Sequence, residues 1–137
     1  MDSMNYDREV LKFSASATRL AKKETILVFS RWHEVYPYPN HSGFTGRVLK
    51  GQRALQEFGT RHPIEYYAIF EWKHHRTPTV FRCTGLQSST LPLDGRDIAI
   101  VDFQGGWSMV FYHEDDCFTD GPYFYAGAET AGAGIAI

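Results

Sequence analysis

His113, Glu114, Asp115 and Asp116 stand in a row, and Asp120 follows four positions later. Carboxylate oxygens suit hard divalent cations, and an imidazole would complete a transition-metal site, with the Cys117 thiol as a further ligand. The same residues have two plainer uses. A histidine at a strand end can hydrogen-bond locally, and exposed acids with Tyr123 nearby can meet a basic partner. Alternation along a strand sends His113 and Glu114 to opposite faces, so only residues past the strand end could converge with His113. The row by itself therefore assigns no metal and no cofactor.

His33 is the second candidate. In Trp32-His33-Glu34 the imidazole could act as a general base if a carboxylate oriented it. Glu34 would lie on the opposite strand face, which leaves Asp102 or Glu114 for that role. An acid–base or metal-assisted hydrolase would thus be built from His33, Asp102, His113 and Glu114. No Gly-x-Ser-x-Gly elbow and no cysteine-nucleophile signature accompanies them. His74-His75-Arg76 reads as a solvated turn. Gly43-Phe44-Thr45-Gly46-Arg47 lacks the Gly-Lys-Ser/Thr that a phosphate loop needs.

The elements that must hold these groups follow from periodicity. Asp7 can cap a helix whose apolar positions Val10, Leu11, Ala17, Leu20 and Ala21 run at helical spacing, so a helix is expected over about 7–23. Thr25 to Phe29 fits either a continuation of that helix or a strand. Trp32 to Tyr36 alternates and reads as a strand stopped by Pro37 and Pro39. Val48, Gln52, Leu55 and Phe58 predict a short helix over 48–58, with Gly59 as its stop. Period-two runs follow: Ile64 to Lys73, Pro78 to Cys83, and a hairpin from Ile98 to His113 around Gly105-Gly106. A two-residue turn there sets Gln104 opposite Trp107. It puts Ala99, Val101, Phe103, Val110 and Tyr112 on one face, with Ile98, Ile100, Met109, Phe111 and His113 on the other. Both faces are apolar, so the hairpin belongs in the middle of its sheet. Tyr123 to Tyr125 adds a short strand.

Helical runs followed by period-two runs imply an α+β fold: an antiparallel sheet of about five strands, with the N-terminal helix and the 48–58 helix on one face. Residues 1–126 read as a single domain and 127–137 as a Gly/Ala-rich tail. The ten Phe, eight Tyr and three Trp of this 137-residue chain supply large buried areas. They also exceed what one core of this size needs, and tyrosine and tryptophan make good interface anchors.

Charge is divided unevenly. Residues 1–76 carry 12 Lys and Arg against 8 Asp and Glu, whereas residues 77–137 carry 2 against 8. An acidic C-terminal half does not suit nucleic acid and does suit a basic protein. The N-terminus lacks a signal-peptide core, no apolar run is long enough to span a bilayer, and Cys83 and Cys117 have no metal-pair spacing. A cytoplasmic protein with no membrane partner is expected.

Trp32-His33, the helix from Gly51 to Phe58, Ile100-Val101-Asp102, Trp107, His113-Glu114 and Gly121-Pro122-Tyr123-Phe124 carry a resemblance. Over about residues 31–125 the chain resembles a small bacterial family of uncharacterised α+β domains. That family's pattern is a tryptophan–histidine strand, a short helix, a paired strand and a "W…HE…GPYF" ending. The segment 115–120 is longer than the family's spacing, and the glycine–alanine tail is foreign to it. The resemblance implies a fold and transfers no reaction. The residues then favour a non-enzymatic cytoplasmic domain of the immunity or antitoxin kind, capping another protein such as a basic toxin. Asp115, Asp116, Asp120 and Tyr123 would be its contacts, and the hydrolase is the alternative.

Overall fold

The computed structural model describes residues 6–36, 44, 46–71, 78–90, 97–112 and 121–127. Its elements are α1 (Tyr6–Val10), β1 (Ser14–Arg19), α2 (Lys22–Val35), β2 (Arg47–Lys50), α3 (Gly51–Phe58), β3 (Tyr66–Phe70), β4 (Thr79–Leu86), β5 (Ile98–Asp102), β6 (Trp107–Phe111) and β7 (Tyr123–Ala126), with a 3-10 turn at Ser88–Thr90. The seven strands form one antiparallel sheet in the order β1-β4-β3-β5-β6-β7-β2. The α+β class stands. The count of about five strands does not, because the chain adds an edge strand at each side of the predicted set.

Alternation builds two cores. Tyr66, Ala68, Phe70, Phe81, Cys83, Ile98, Ile100, Met109, Phe111 and Phe124 pack on one face with Val10, Phe13, Ala54 and Phe58 from α1, its following turn and α3. Ile69, Val80, Ala99, Val101, Val110, Tyr123 and Tyr125 pack on the other with Leu20, Trp32 and Tyr36. The N-terminal helix α1 and the helix α3 share one face, as expected, and α2 covers the other. A sheet whose central strands are apolar on both sides needs a cover on each. The Tyr6 hydroxyl donates to Glu71 Oε2 at 2.6 Å, tying α1 to the end of β3.

The N-terminal third departs most from expectation. The helix over 7–23 is instead α1, the strand β1 and the first turn of α2. Ser14-Ala15-Ser16-Ala17-Thr18 are small and pair with β4, so the backbone ladder decides their state. Trp32 to Tyr36 is not a strand but the end of α2 and its cap. Thr25, Phe29, Trp32 and Tyr36 follow one another at helical spacing and turn toward the sheet. The 48–58 helix is likewise shortened: Val48 to Lys50 belong to β2, and Gly51, at φ 58°, turns the chain directly into α3.

The hairpin sits where both its faces required. Its turn, however, has four residues, since Asp102 pairs with Trp107. The slip relative to a two-residue turn is an even number of positions, so every described side chain keeps its predicted face. Among the described residues no helix is long and apolar enough to cross a membrane.

Candidate functional site

α2 positions His33. The Trp32 side chain is fully buried, and its indole N–H donates to Ser108 Oγ on β6 at 3.0 Å. This bond anchors the helix to the centre of the sheet. His33, one residue on, is exposed and lies edge-on to Trp32 and Phe29, with ring centroids 5.3 and 5.1 Å away. Glu34 is exposed as well, and both residues stand on a helix rather than on opposite faces of a strand.

Asp102 ends β5 and shapes the turn. Its Oδ1 accepts the Gly105 N–H at 2.9 Å, and its carbonyl accepts the Gly106 N–H at the same distance. A Cβ on Gly105 would come within 2.6 Å of Asp102 Oδ2 and 3.1 Å of Trp107 Nε1, which only glycine avoids. The next residue, Phe103, carries the Arg31 guanidinium 4.2 Å above its ring. The carboxylate of Asp102 is thus committed to a local backbone bond across the turn rather than aimed at an imidazole.

His113, Glu114, Asp115, Asp116, Cys117 and Asp120 lie outside the described residues. In sequence they join β6 to β7. Tyr123, the remaining contact expected from sequence, is only 7 % exposed. It pairs with Val110 and Lys50 and joins the core under α2, which leaves little of it to a partner. Among the described residues no three His, Cys, Asp or Glu side chains come together as a metal set.

A polar cluster that periodicity hid lies in the opposite core. Ser14, Tyr66 and Cys83 are all buried, and the hydroxyls of Ser14 and Tyr66 share a hydrogen bond. Tyr66 and Cys83 are cross-strand partners, so they share a face. The signal was present as a tyrosine and a cysteine on the apolar face of two paired runs. Burial pushes the Cys83 thiol up to about 11 and raises the Tyr66 phenol well above its ordinary value. A nucleophilic cysteine needs the reverse shift. Cys83 is therefore packing, not chemistry.

Two expectations arise here. Tyr66→Phe leaves the buried Ser14 hydroxyl with only the weaker Cys83 thiol as partner and should cost about 1–3 kcal/mol, whereas the Ser14→Ala/Tyr66→Phe pair should cost less than the sum of the singles. Urea denaturation of the four proteins measures this. Second, both pKa values are raised in the folded state, so their contribution is fully present below the unfolded values. It is lost as pH climbs from about 9 toward 11. The unfolding midpoint should fall across that window, and Cys83→Ala should flatten the fall. In a Cys117→Ser background, a thiol reagent should not label the native protein at neutral pH.

Two surface features complete the inventory. The outer side of α2 exposes Ile26 (44 %), Leu27 (64 %) and Val35 (41 %). At the end of β1 a cleft of about 170 Å³ is lined by Arg19, Leu20, Lys22, Thr25, Pro78, Thr79 and Val80. Comparison of the chain with protein-family models, curated proteins and solved structures finds no match.

Proposed function

We propose that this chain is a non-enzymatic, cytoplasmic protein-binding domain of the immunity or antitoxin kind, which caps a cognate protein. The observation that carries the reading is the outer side of α2. Of its 14 residues only Thr25 and Trp32 are fully buried, and Ile26, Leu27 and Val35 stand in solvent. A helix docked on its sheet through Trp32, with aliphatic side chains turned outward, suits a partner's groove. The acids Asp115, Asp116 and Asp120 would add rim charge for a basic partner, steering association more than strengthening it.

The test is affinity capture from the cells that express the gene, followed by titration of the purified partner. Leu27→Asp should weaken binding by roughly thirtyfold if Leu27 is a central anchor contributing about 2 kcal/mol. Charge reversal at Asp115 and Asp116 should slow association and flatten its salt dependence. A partner that binds the wild type and both variants alike would overturn the surface.

A further inference from the structure

We propose that the open edge of β1 takes up an extended acidic segment of another protein as an eighth strand of the sheet. The inference concerns a different surface from the outer side of α2 and stands whether or not the capping reading does.

Among the described residues the edge is available. Strand order puts β1 at one end of the sheet, with β4 as its neighbour. Its side-chain contacts run inward or along its own faces: Ser14 to Tyr66, Ser16 to Thr84 and Arg19 to Thr79. Leu20 N–H donates to Val80 O. Ladder alternation then turns the amides and carbonyls of Ala17 and Arg19 away from β4, and among the described residues none bonds to them. Ala15, Ser16, Thr18 and Arg19 are exposed.

The two edges of the sheet are also unlike. β2 has four residues and begins and ends on a cation, Arg47 and Lys50. Short length and terminal charge are how an edge is kept from pairing. β1 has six residues, Ser-Ala-Ser-Ala-Thr-Arg, with no proline and no charge before its last position. Leu11, 56 % exposed, precedes it. Nothing in β1 resists an added strand.

Charge selects the occupant. Past Arg19 the chain enters α2 through Lys22 and Lys23. The nearest carboxylate to Arg19 is Asp7 at 3.9 Å, with both side chains more than half exposed, an arrangement of small net value. Arg19 and Lys22 line the cleft at the strand's end, and no described lining residue is an acid. A segment that continues the sheet past Arg19 meets these cations, so its matching side chains are Asp and Glu. A second copy of β1 offers no carboxylate to answer them.

The test uses the full chain and a panel of octapeptides that alternate Val, Thr or Ile with Glu, read by fluorescence anisotropy beside the same peptides with Lys for Glu. Glu peptides should bind at least about tenfold more tightly than Lys peptides, with affinity falling as salt rises. Ala17→Pro removes an outward N–H at an edge position that tolerates proline and should abolish binding with the fold retained by circular dichroism. In the wild type, peptide should slow amide exchange at Ala17 and Arg19, a readout that holds even if the proline variant folds poorly. Lys22→Glu/Lys23→Glu should reverse the charge preference. No binding by any Glu peptide would overturn the proposal, as would equal binding of Glu and Lys peptides or unchanged exchange at β1. Concentration-dependent dimerisation that Ala17→Pro abolishes would overturn it too, in favour of a second copy at the edge.

Discussion

Trp32→Ala is expected to destabilise the protein by about 3–5 kcal/mol, the range for deleting a large buried aromatic side chain. Two losses combine. The ring is fully buried among the residues under α2, and its N–H holds Ser108 Oγ at 3.0 Å. Removing the ring opens a cavity, and it also releases the helix from its hydrogen bond to β6. Ser108→Ala should cost less, about 1–3 kcal/mol, because it leaves the indole N–H buried without an acceptor. Domains of this size have roughly 5–15 kcal/mol in total, so Trp32→Ala removes a large share. Urea unfolding followed by far-UV circular dichroism gives the values. A loss below about 1 kcal/mol would mean that α2 is not docked through Trp32.

Gly85→Val should be nearly as damaging, at about 2–4 kcal/mol. Gly85 lies within β4 at φ 68°, a region that β-branched residues avoid, and a Cβ there would sit 2.4 Å from the Cβ of Ala15. Backbone strain and overpacking each cost about 1–3 kcal/mol and here act together. The damage should be local to β1, which faces Gly85. Amide exchange at Ser14 to Arg19 should rise well before exchange at β5. Ala15→Gly beside Gly85→Ala should recover part of the loss by removing the clash, while the φ penalty remains. Full recovery would show that strain contributes nothing.

The parts of the fold that could be read in advance are those where side-chain period alone decides. Tyr66, Ala68 and Phe70 alternate with Tyr67 and Ile69, and the β5–β6 residues are apolar on both faces, so each residue's face survived even a wrong turn length. That length was hidden because it depends on a carboxylate: Asp102 bonding Gly105 N–H makes a four-residue loop out of what the Gly-Gly pair suggests is a two-residue one. β1 was illegible for another reason. Ser-Ala-Ser-Ala-Thr alternates but has no large apolar side chain to mark a core face, and its strand state comes from a partner more than sixty positions away. Trp32 to Tyr36 misled because five residues fit alternation by chance, whereas Thr25, Phe29, Trp32 and Tyr36 show the helical stripe once the window is widened. His33 followed the helix and left its expected strand. Asp102 was placed correctly on β5, but its role is a turn bond that no spacing rule announces.

The strand order also sets a timetable. β3 with β4 and β5 with β6 are near neighbours along the chain, whereas Arg19 waits for Phe81 and Lys50 for Tyr123. Closing such long loops comes late, after the local hairpins supply a template. As the chain leaves the ribosome, β1 is made well before β4, the strand with which it pairs. Substitutions in β1 and β2 should therefore speed unfolding and leave refolding nearly unchanged, while those in the β5–β6 hairpin slow refolding. Until β4 emerges the nascent chain carries an unsatisfied strand, and the sparing use of apolar residues in Ser14–Arg19 lowers the risk that this wait becomes aggregation.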